Sequence, residues 1–343
     1  MSAGNLETVT SVPVKELLRR FTGLRIGVVG DLMLDEYLLG HIHRISPEAP
    51  TPILNLTRRE VTLGGTGNVA RNLRALGASV FVFGAVGHDA TGDRILEMLD
   101  ELGADREGVK RDASRPSTRK TRLVSLEHGQ QVFRFDEESA HALPEKFESE
   151  LLHTLEAKSS ELHAVICSDY LKGVLTKRVF RSTSEIAQRR GVPLIAAPKD
   201  ADAHKYERAT VLVPNTKELA QLSRMTIDGN ESLSAAARKL LEELQVSSLL
   251  VTRGAEGMSL FEKASGSVRR VDIPTAARAV YDVTGAGDTV VSLFALGVAA
   301  GAGYEASARL ANVAAGIVVS KRGTACVSPE ELLSHAEGSS RAL

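Results

Sequence analysis

Short runs rich in β-branched residues alternate with longer stretches of helical period along most of the 343-residue chain. That alternation limits the fold more than any other feature. Leu24–Gly30 (LRIGVVG) and Ser79–Gly84 (SVFVFG) read as buried strands, as do Ala164–Cys167, Pro193–Ala196, Val211–Val213 and Ser248–Thr252. Between them Asn68–Leu76, ended by Gly77, and Glu145–Ala157, Lys177–Arg190, Lys217–Met225 and Ser232–Leu244 read as helices. Strands separated by helices form a parallel sheet covered on both faces. The expected class is α/β, a three-layer domain with a mainly parallel central sheet.

Two segments break the rhythm. Residues 35–63 include ISPEAPTPILNLTRREVTL, with three prolines and no helical period. Residues 116–136 include STRKTRLVSLEHGQQVFRFD, which alternates like a hairpin turning at His128-Gly129. Together they predict one small accessory sheet inserted in a single domain; the plainer alternative is two long surface loops.

Composition closes off several function classes. Lys plus Arg is 42 and Asp plus Glu is 43, a net charge of −1, so nothing draws the chain globally to nucleic acid or to an anionic membrane. Two cysteines, Cys167 and Cys326, exclude a disulfide scaffold and a cysteine-based zinc cluster. The longest apolar stretch, Val290 to Ala302, is too short to span a bilayer. The first twenty residues lack the basic-then-apolar order of a signal peptide, so a soluble cytoplasmic protein is expected. The nine histidines are scattered, no pair has convincing metal-ligand spacing, and each is assigned to surface or core. There is no GxxxxGK[ST] loop, HExxH or GxSxG.

Three constellations remain. In Asp282-Val283-Thr284-Gly285-Ala286-Gly287-Asp288, lying between an expected strand and an Ala-rich helix starting near Thr289, small residues bare consecutive backbone N–H groups at a helix start. Such groups and the helix dipole make an anion site. An acid directly after it suits phosphoryl transfer, in which the amides hold the moving group and the carboxylate takes a hydroxyl proton. The same residues suit an ordinary Asp cap after a glycine turn, and spacing does not choose. Gly64-Gly65-Thr66-Gly67-Asn68-Val69-Ala70 opens a helix and formally matches GxGxxA. More than thirty residues separate it from the first strand, which argues against dinucleotide binding; Gly64, Gly65 and Asn68 could instead hold a polyol. Asp31 and Asp35 follow the first strand, at the sheet edge where open parallel sheets bind ligands, and suit sugar hydroxyls.

In order and spacing these residues resemble the ribokinase-like (PfkB) family of sugar kinases, from about Leu24 to Glu331. The resemblance implies that fold, with residues 35–63 and 116–136 as a small β lid. Asp288 is then the catalytic base, and the backbone of Gly285, Ala286 and Gly287 holds the transferring phosphoryl. Asn215-Thr216-Lys217-Glu218 resembles the family's NxxE motif, in which Asn215 and Glu218 organise Mg²⁺ through water. Thr252, Gly254 and Gly257 would receive the ATP ribose and phosphates, Lys199 would reach a phosphate, and Asn312 would lie at the adenine. Asp35 matches the sugar-binding acid, with Asp31 a second one. Asp282 and the Lys321-Arg322-Gly323-Thr324 loop fall where relatives hold a monovalent cation such as K⁺.

Within that family, Ile45–Pro52 (ISPEAPTP), Gln130–Asp136 (QQVFRFD) and Ser168–Gly173 (SDYLKG) resemble the bacterial heptose 7-phosphate kinases. The implied reaction is phosphorylation of the C1 hydroxyl of D-glycero-β-D-manno-heptose 7-phosphate to the 1,7-bisphosphate, on the way to ADP-heptose and the lipopolysaccharide inner core. With no HxGH-type motif in the chain, the kinase-only form is implied. One departure is Ala197-Pro198-Lys199, where such kinases carry Asp-Pro-Lys; Asp200 is near but out of register. The substrate's own phosphate calls for convergent cations, drawn from Arg44, Lys120, Arg122, Arg134 and Lys172. A homodimer through the lid is expected. The rival readings are a kinase for a fructose phosphate or ribose, a NAD-dependent oxidoreductase, and a sugar-binding protein without catalysis.

Overall fold

The computed structural model describes residues 13–338, apart from His128, Ser265, Arg278 and Arg322. In chain order its elements are α1 (Val14–Phe21), β1 (Arg25–Gly30), β2 (Leu32–Ile45), β3 (Pro52–Gly65), α2 (Thr66–Ala75), β4 (Ser79–Val86), α3 (Ala90–Glu101), β5 (Asp105–Arg111), β6 (Thr118–Ser125), β7 (Gln131–Glu137), α4 (Glu145–Lys158), β8 (Ala164–Ser168), α5 (Lys177–Arg190), β9 (Leu194–Ala197) and β10 (Val211–Leu212). They continue with α6 (Thr216–Ser223), α7 (Asn230–Glu243), β11 (Ser248–Thr252), β12 (Met258–Ala264), β13 (Ser267–Ile273), α8 (Ala286–Ala299), α9 (Tyr304–Val318) and α10 (Pro329–Gly338).

Nine strands form the central sheet in the order β13-β12-β11-β10-β9-β8-β1-β4-β5. The run from β11 to β5 is parallel. Its inner strands, rich in Val, Ile and Leu, bury both faces, while the edge strand β5 is mostly polar and half-buried. On β1, Ile26 and Val28 join the apolar layer that holds Leu73 and Phe294, while Val29 joins the opposite layer with Leu155 and Phe180. The departure from a parallel sheet is the edge hairpin of β12 and β13, antiparallel to each other and to β11.

The two irregular segments form an accessory sheet, in the order β3-β2-β6-β7, rather than two loops. β2 pairs antiparallel with β3 and parallel with β6, and β6 pairs antiparallel with β7. The turn between β6 and β7 is closed by hydrogen bonds from Gly129 N to Ser125 O and from Ser125 N to Gln130 O; His128 lies outside the described residues. One residue, Asp31, separates β1 from β2, so the accessory sheet grows directly from the carboxyl edge of the central one. The hairpin's return end is fastened at the same point, where Thr66 N donates to Asp31 O at 3.1 Å. α8 starts at Ala286, earlier than expected, and the segment between β13 and α8 is irregular rather than a strand.

Candidate active site

β1 and β8 are neighbours, and their carboxyl ends open onto the start of α8. Gly285 occupies the N-cap of that helix with φ +80°. A Cβ there would lie 2.7 Å from both Asn68 Nδ2 and Thr324 Cγ2, so only glycine fits. The first-turn amides that follow have no intrahelical carbonyl to bond. At Gly287 a Cβ would meet nothing within 4 Å, which leaves the approach to those amides open.

Asp288 lies in this first turn with 8% of its surface exposed. Its Oδ1 accepts from the Tyr170 hydroxyl at 2.6 Å and its Oδ2 from Asn68 Nδ2 at 2.8 Å. Burial pushes its carboxyl up to about 6, against the opposing pull of those two hydrogen bonds. A carboxylate has about four acceptor positions, so each oxygen keeps capacity for a substrate proton. Burial also drives the Tyr170 hydroxyl well up, and the neighbouring Asp288 adds to that shift. Tyr170 therefore stays a donor.

A cavity of about 500 Å³ lies on one side of Asp288. Thr252, Gly254, Gly257 and Asn312 line it together with Ala286 and Gly287, so it brings the expected nucleotide residues to the expected anion site. Asn312 Nδ2 donates to Pro274 O at 2.8 Å, which fixes the orientation of its amide. Asn215 and Glu218 adjoin this cavity: Asn215 bridges to Thr252. The Asn-x-x-Glu motif is also a capping box for α6, with Glu218 N to Asn215 Oδ1 and Asn215 N to Glu218 Oε2 both at 2.9 Å. The other carboxylate oxygen of Glu218 accepts from Lys199 Nζ at 2.8 Å. Asp200 does not fill the place of the missing acid at 197. Its carboxylate turns to Lys205, at 3.4 Å.

The accessory sheet closes the other side. Arg122 donates to Asp35 at 2.5 Å and lies over the Tyr37 ring. Lys120 faces Asp35 across the β2–β6 pair. Burial lowers its ammonium, and the like charge of Lys172 adds to the effect against the pull of Asp136 and Glu138. Lys172 itself is held by Glu138 at 2.7 Å. Gly64 lacks a Cβ that would strike the Asp35 carboxylate. Lys120, Arg122, Lys172 and Asp35 thus share one neighbourhood.

Five of the expected sugar contacts are placed differently. Asp31 is buried and accepts from the backbone amides of Tyr170, Lys172 and Val174 at 2.8–3.0 Å, so it holds the 170–174 loop instead of offering an open carboxylate. The amide nitrogen of Asn68 is spent on Asp288, and Gly65, at φ +54°, shapes the entry to α2. Arg134 stands opposite Arg122 but turns to Asp136 and is about half exposed. Arg44 is exposed at the outer end of β2, nine residues from Asp35, roughly 30 Å along a strand. Asp282 does meet the 321–324 loop, accepting from Gly323 N at 3.1 Å; Arg322 lies outside the described residues.

Sequence reasoning quoted Tyr170 within a segment but gave it no role. Its place just past the carboxyl end of β8, at the binding edge, was the available signal. It also overlooked a buried cluster in which Asp169 accepts from Lys205 Nζ at 2.6 Å and from the Tyr206 hydroxyl at 2.5 Å. That hydroxyl accepts from the amides of Lys199 and Asp200, so the cluster fixes the loop that carries Lys199.

Residues 25–331 match the family described as pfkB family carbohydrate kinase. A protein of Geotalea uraniireducens named bifunctional protein HldE is 45% identical over 320 residues, covering 93% of this chain and 64% of that protein. The HldE of Geobacter sulfurreducens is 43% identical over 333 residues, 96% of this chain and 67% of that one. The chain thus spans about two thirds of the length of these relatives. Among solved structures, ribokinase of Arabidopsis thaliana complexed with ribose and ATP aligns with a TM-score of 0.70 at 21% identity, covering 91% of this chain and 98% of that one. Phosphofructokinase-2 of Escherichia coli, in complex with substrates and products, aligns with a TM-score of 0.74 at 20% identity, covering 92% and 99%. At that identity the likeness establishes the ribokinase-like fold. The GxGxxA stretch is accordingly not a dinucleotide fingerprint: it follows an accessory strand, and its helix presents Asn68 to Asp288. The chain belongs to the pfkB family of carbohydrate kinases.

Proposed function

We propose that the chain is an ATP-dependent kinase that phosphorylates the C1 hydroxyl of D-glycero-β-D-manno-heptose 7-phosphate. The observation that carries the chemistry is Asp288, a buried carboxylate with a raised pKa in the first turn of α8, between an apolar cavity and a cluster of cations. The cavity suits a nucleotide base and ribose, and the free first-turn amides suit its terminal phosphate. With Mg²⁺ bound, the metal would neutralise phosphate charge, and Glu218, beside Lys199, would hold its waters. Asp288 takes the hydroxyl proton as the sugar oxygen bonds to the γ-phosphorus and the bond to ADP breaks. Of the expected Gly285–Gly287 backbone, Ala286 N already donates to Val283 O at 3.2 Å, so the amides of Gly287 and Asp288 would stabilise the charge on the phosphoryl oxygens. Asp282 and the 321–324 loop would take a monovalent cation such as K⁺.

The heptose assignment rests on the 45–52, 130–136 and 168–173 segments, and it gains support from the cations placed around Asp35. Lys120, Arg122 and Lys172 would receive the 7-phosphate. The accessory sheet would cover the sugar and exclude water, and two copies would pair through it as a cytoplasmic homodimer. ATP consumption by purified protein with Mg²⁺ should be measured against heptose 7-phosphate, fructose 1- and 6-phosphates, ribose and fructose. Turnover confined to the heptose phosphate is expected. Turnover on another sugar would keep the role of Asp288 and discard the substrate; silence across the panel would leave a sugar-binding protein without catalysis.

A further inference from the structure

The outer end of the accessory sheet carries a second group of chemically active side chains, far from Asp288. His41 and His43 lie two apart on β2, so their side chains leave the same face of the strand. Their rings stack with centroids 5.4 Å apart and planes within 11°. Glu127 reaches the same point from the turn after β6. Its Oε1 is 2.7 Å from His41 Nδ1 and 3.6 Å from His43 Nε2, and one ligand atom from each of the three residues lies within 4.8 Å of the other two. Sequence spacing did not suggest this group, because the third member is more than eighty residues from the first two.

We propose that His41, His43 and Glu127 form a binding site for one divalent transition-metal ion of the zinc class. Two neutral imidazoles and a carboxylate are the donors such an ion prefers, and three protein ligands leave a fourth position for water. Mg²⁺ prefers oxygen donors and would not compete here. The surroundings are those of a built site. Ser125 Oγ donates to Glu127 Oε2 at 2.6 Å, which turns the remaining oxygen toward both imidazoles. Leu126 N donates to Gly40 O at 2.9 Å, which fixes the glutamate's turn against β2. Such outer-shell partners orient ligands at metal sites. The ion would staple the β6–β7 turn to the long β2–β3 hairpin and stiffen the outer end of the accessory sheet.

The test uses the full chain without a histidine tag, in excess Mg²⁺ and without nucleotide. Co²⁺ is titrated as a spectroscopic probe and Zn²⁺ by calorimetry. One equivalent of each should bind, and Co²⁺ should give the intense visible absorption of a four-coordinate site. His43→Gln and Glu127→Gln should abolish that spectrum while circular dichroism remains that of the parent. Ser125→Ala, which removes only the orienting hydroxyl, should weaken Zn²⁺ binding by about 10–100-fold. Glu218→Gln, at the opposite end of the molecule's chemistry, should leave both titrations unchanged. The proposal is overturned if no stoichiometric binding occurs, or if binding survives unchanged in His43→Gln and Glu127→Gln.

Discussion

The carboxyl of Asp288 has the clearest consequences of any single group. With its pKa raised to about 6, the proposed base is ionised above that value and lost as the pH falls through it. A plot of kcat/KM against pH should therefore drop on the acid side near pH 6, and Asp288→Asn should lose about 10²–10⁴-fold in kcat while still binding ATP. Stability runs the other way. The folded state holds the proton more tightly than the unfolded one, so between about pH 4 and 6 stability declines as pH rises, and this decline should be absent in Asp288→Asn. Thermal melts of both proteins across that range would show it. Tyr170→Phe removes a donor that lowers this pKa. The acid limb should then move up by roughly one unit or more; an unmoved limb would separate Tyr170 from the base. Asp288 stands out in the sequence because a carboxylate after Gly-Ala-Gly is an unusual neighbour for an anion site, but spacing alone leaves an ordinary helix cap open and only the family resemblance assigns the role. For Asp31 no sequence signal distinguishes an acid that faces substrate from a buried one held by three amides of a loop about 140 residues away.

At the scale of elements, α8 depends on the contrast between two glycines. Gly285→Ala should misplace the helix start, since the residue has φ +80° and its Cβ would strike Asn68. A loss of about 1–3 kcal/mol is expected from chemical denaturation, with activity falling further. Gly287→Ala places its methyl in open space. It should leave the melting temperature nearly unchanged while raising the KM for ATP, because the methyl enters the approach to the phosphate-facing amides. Six strands of the parallel sheet were legible to within a residue or two, since each is an apolar run between polar caps; the edge strand β5 was not, because DREGVKR is mostly polar and half-buried. The edge hairpin of β12 and β13 was not, because Ser267–Ile273 (SVRRVDI) breaks its apolar residues with two arginines and an aspartate and carries no such run. In Asn215-x-x-Glu218 a resemblance and a local rule coincide: the residues that would serve a metal also close a capping box, so the motif has a structural use before any ligand binds.

For the whole molecule, the least covered surface is the accessory sheet. β7 is exposed along almost all of its length although it carries Val132, Phe133 and Phe135, and Ile45 and Leu56 are exposed on β2 and β3. Apolar side chains gathered on an open sheet suit a second copy. Sedimentation should show a dimer, and Phe133→Asp should shift it toward monomer; a monomeric parent would remove the homodimer from the proposal. The existence of this sheet was legible from the break in the helix–strand rhythm, but its parallel β2–β6 pairing was not, because that contact joins segments more than eighty residues apart. Asp31 also has a mechanical meaning. Both feet of the long hairpin meet at this residue, and its carboxylate grips the amides of the loop bearing Tyr170. Tyr170 in turn donates to Asp288. A swing of the hairpin over a sugar would thus be geared, through one residue, to a hydroxyl that offsets part of the burial holding the proton on Asp288.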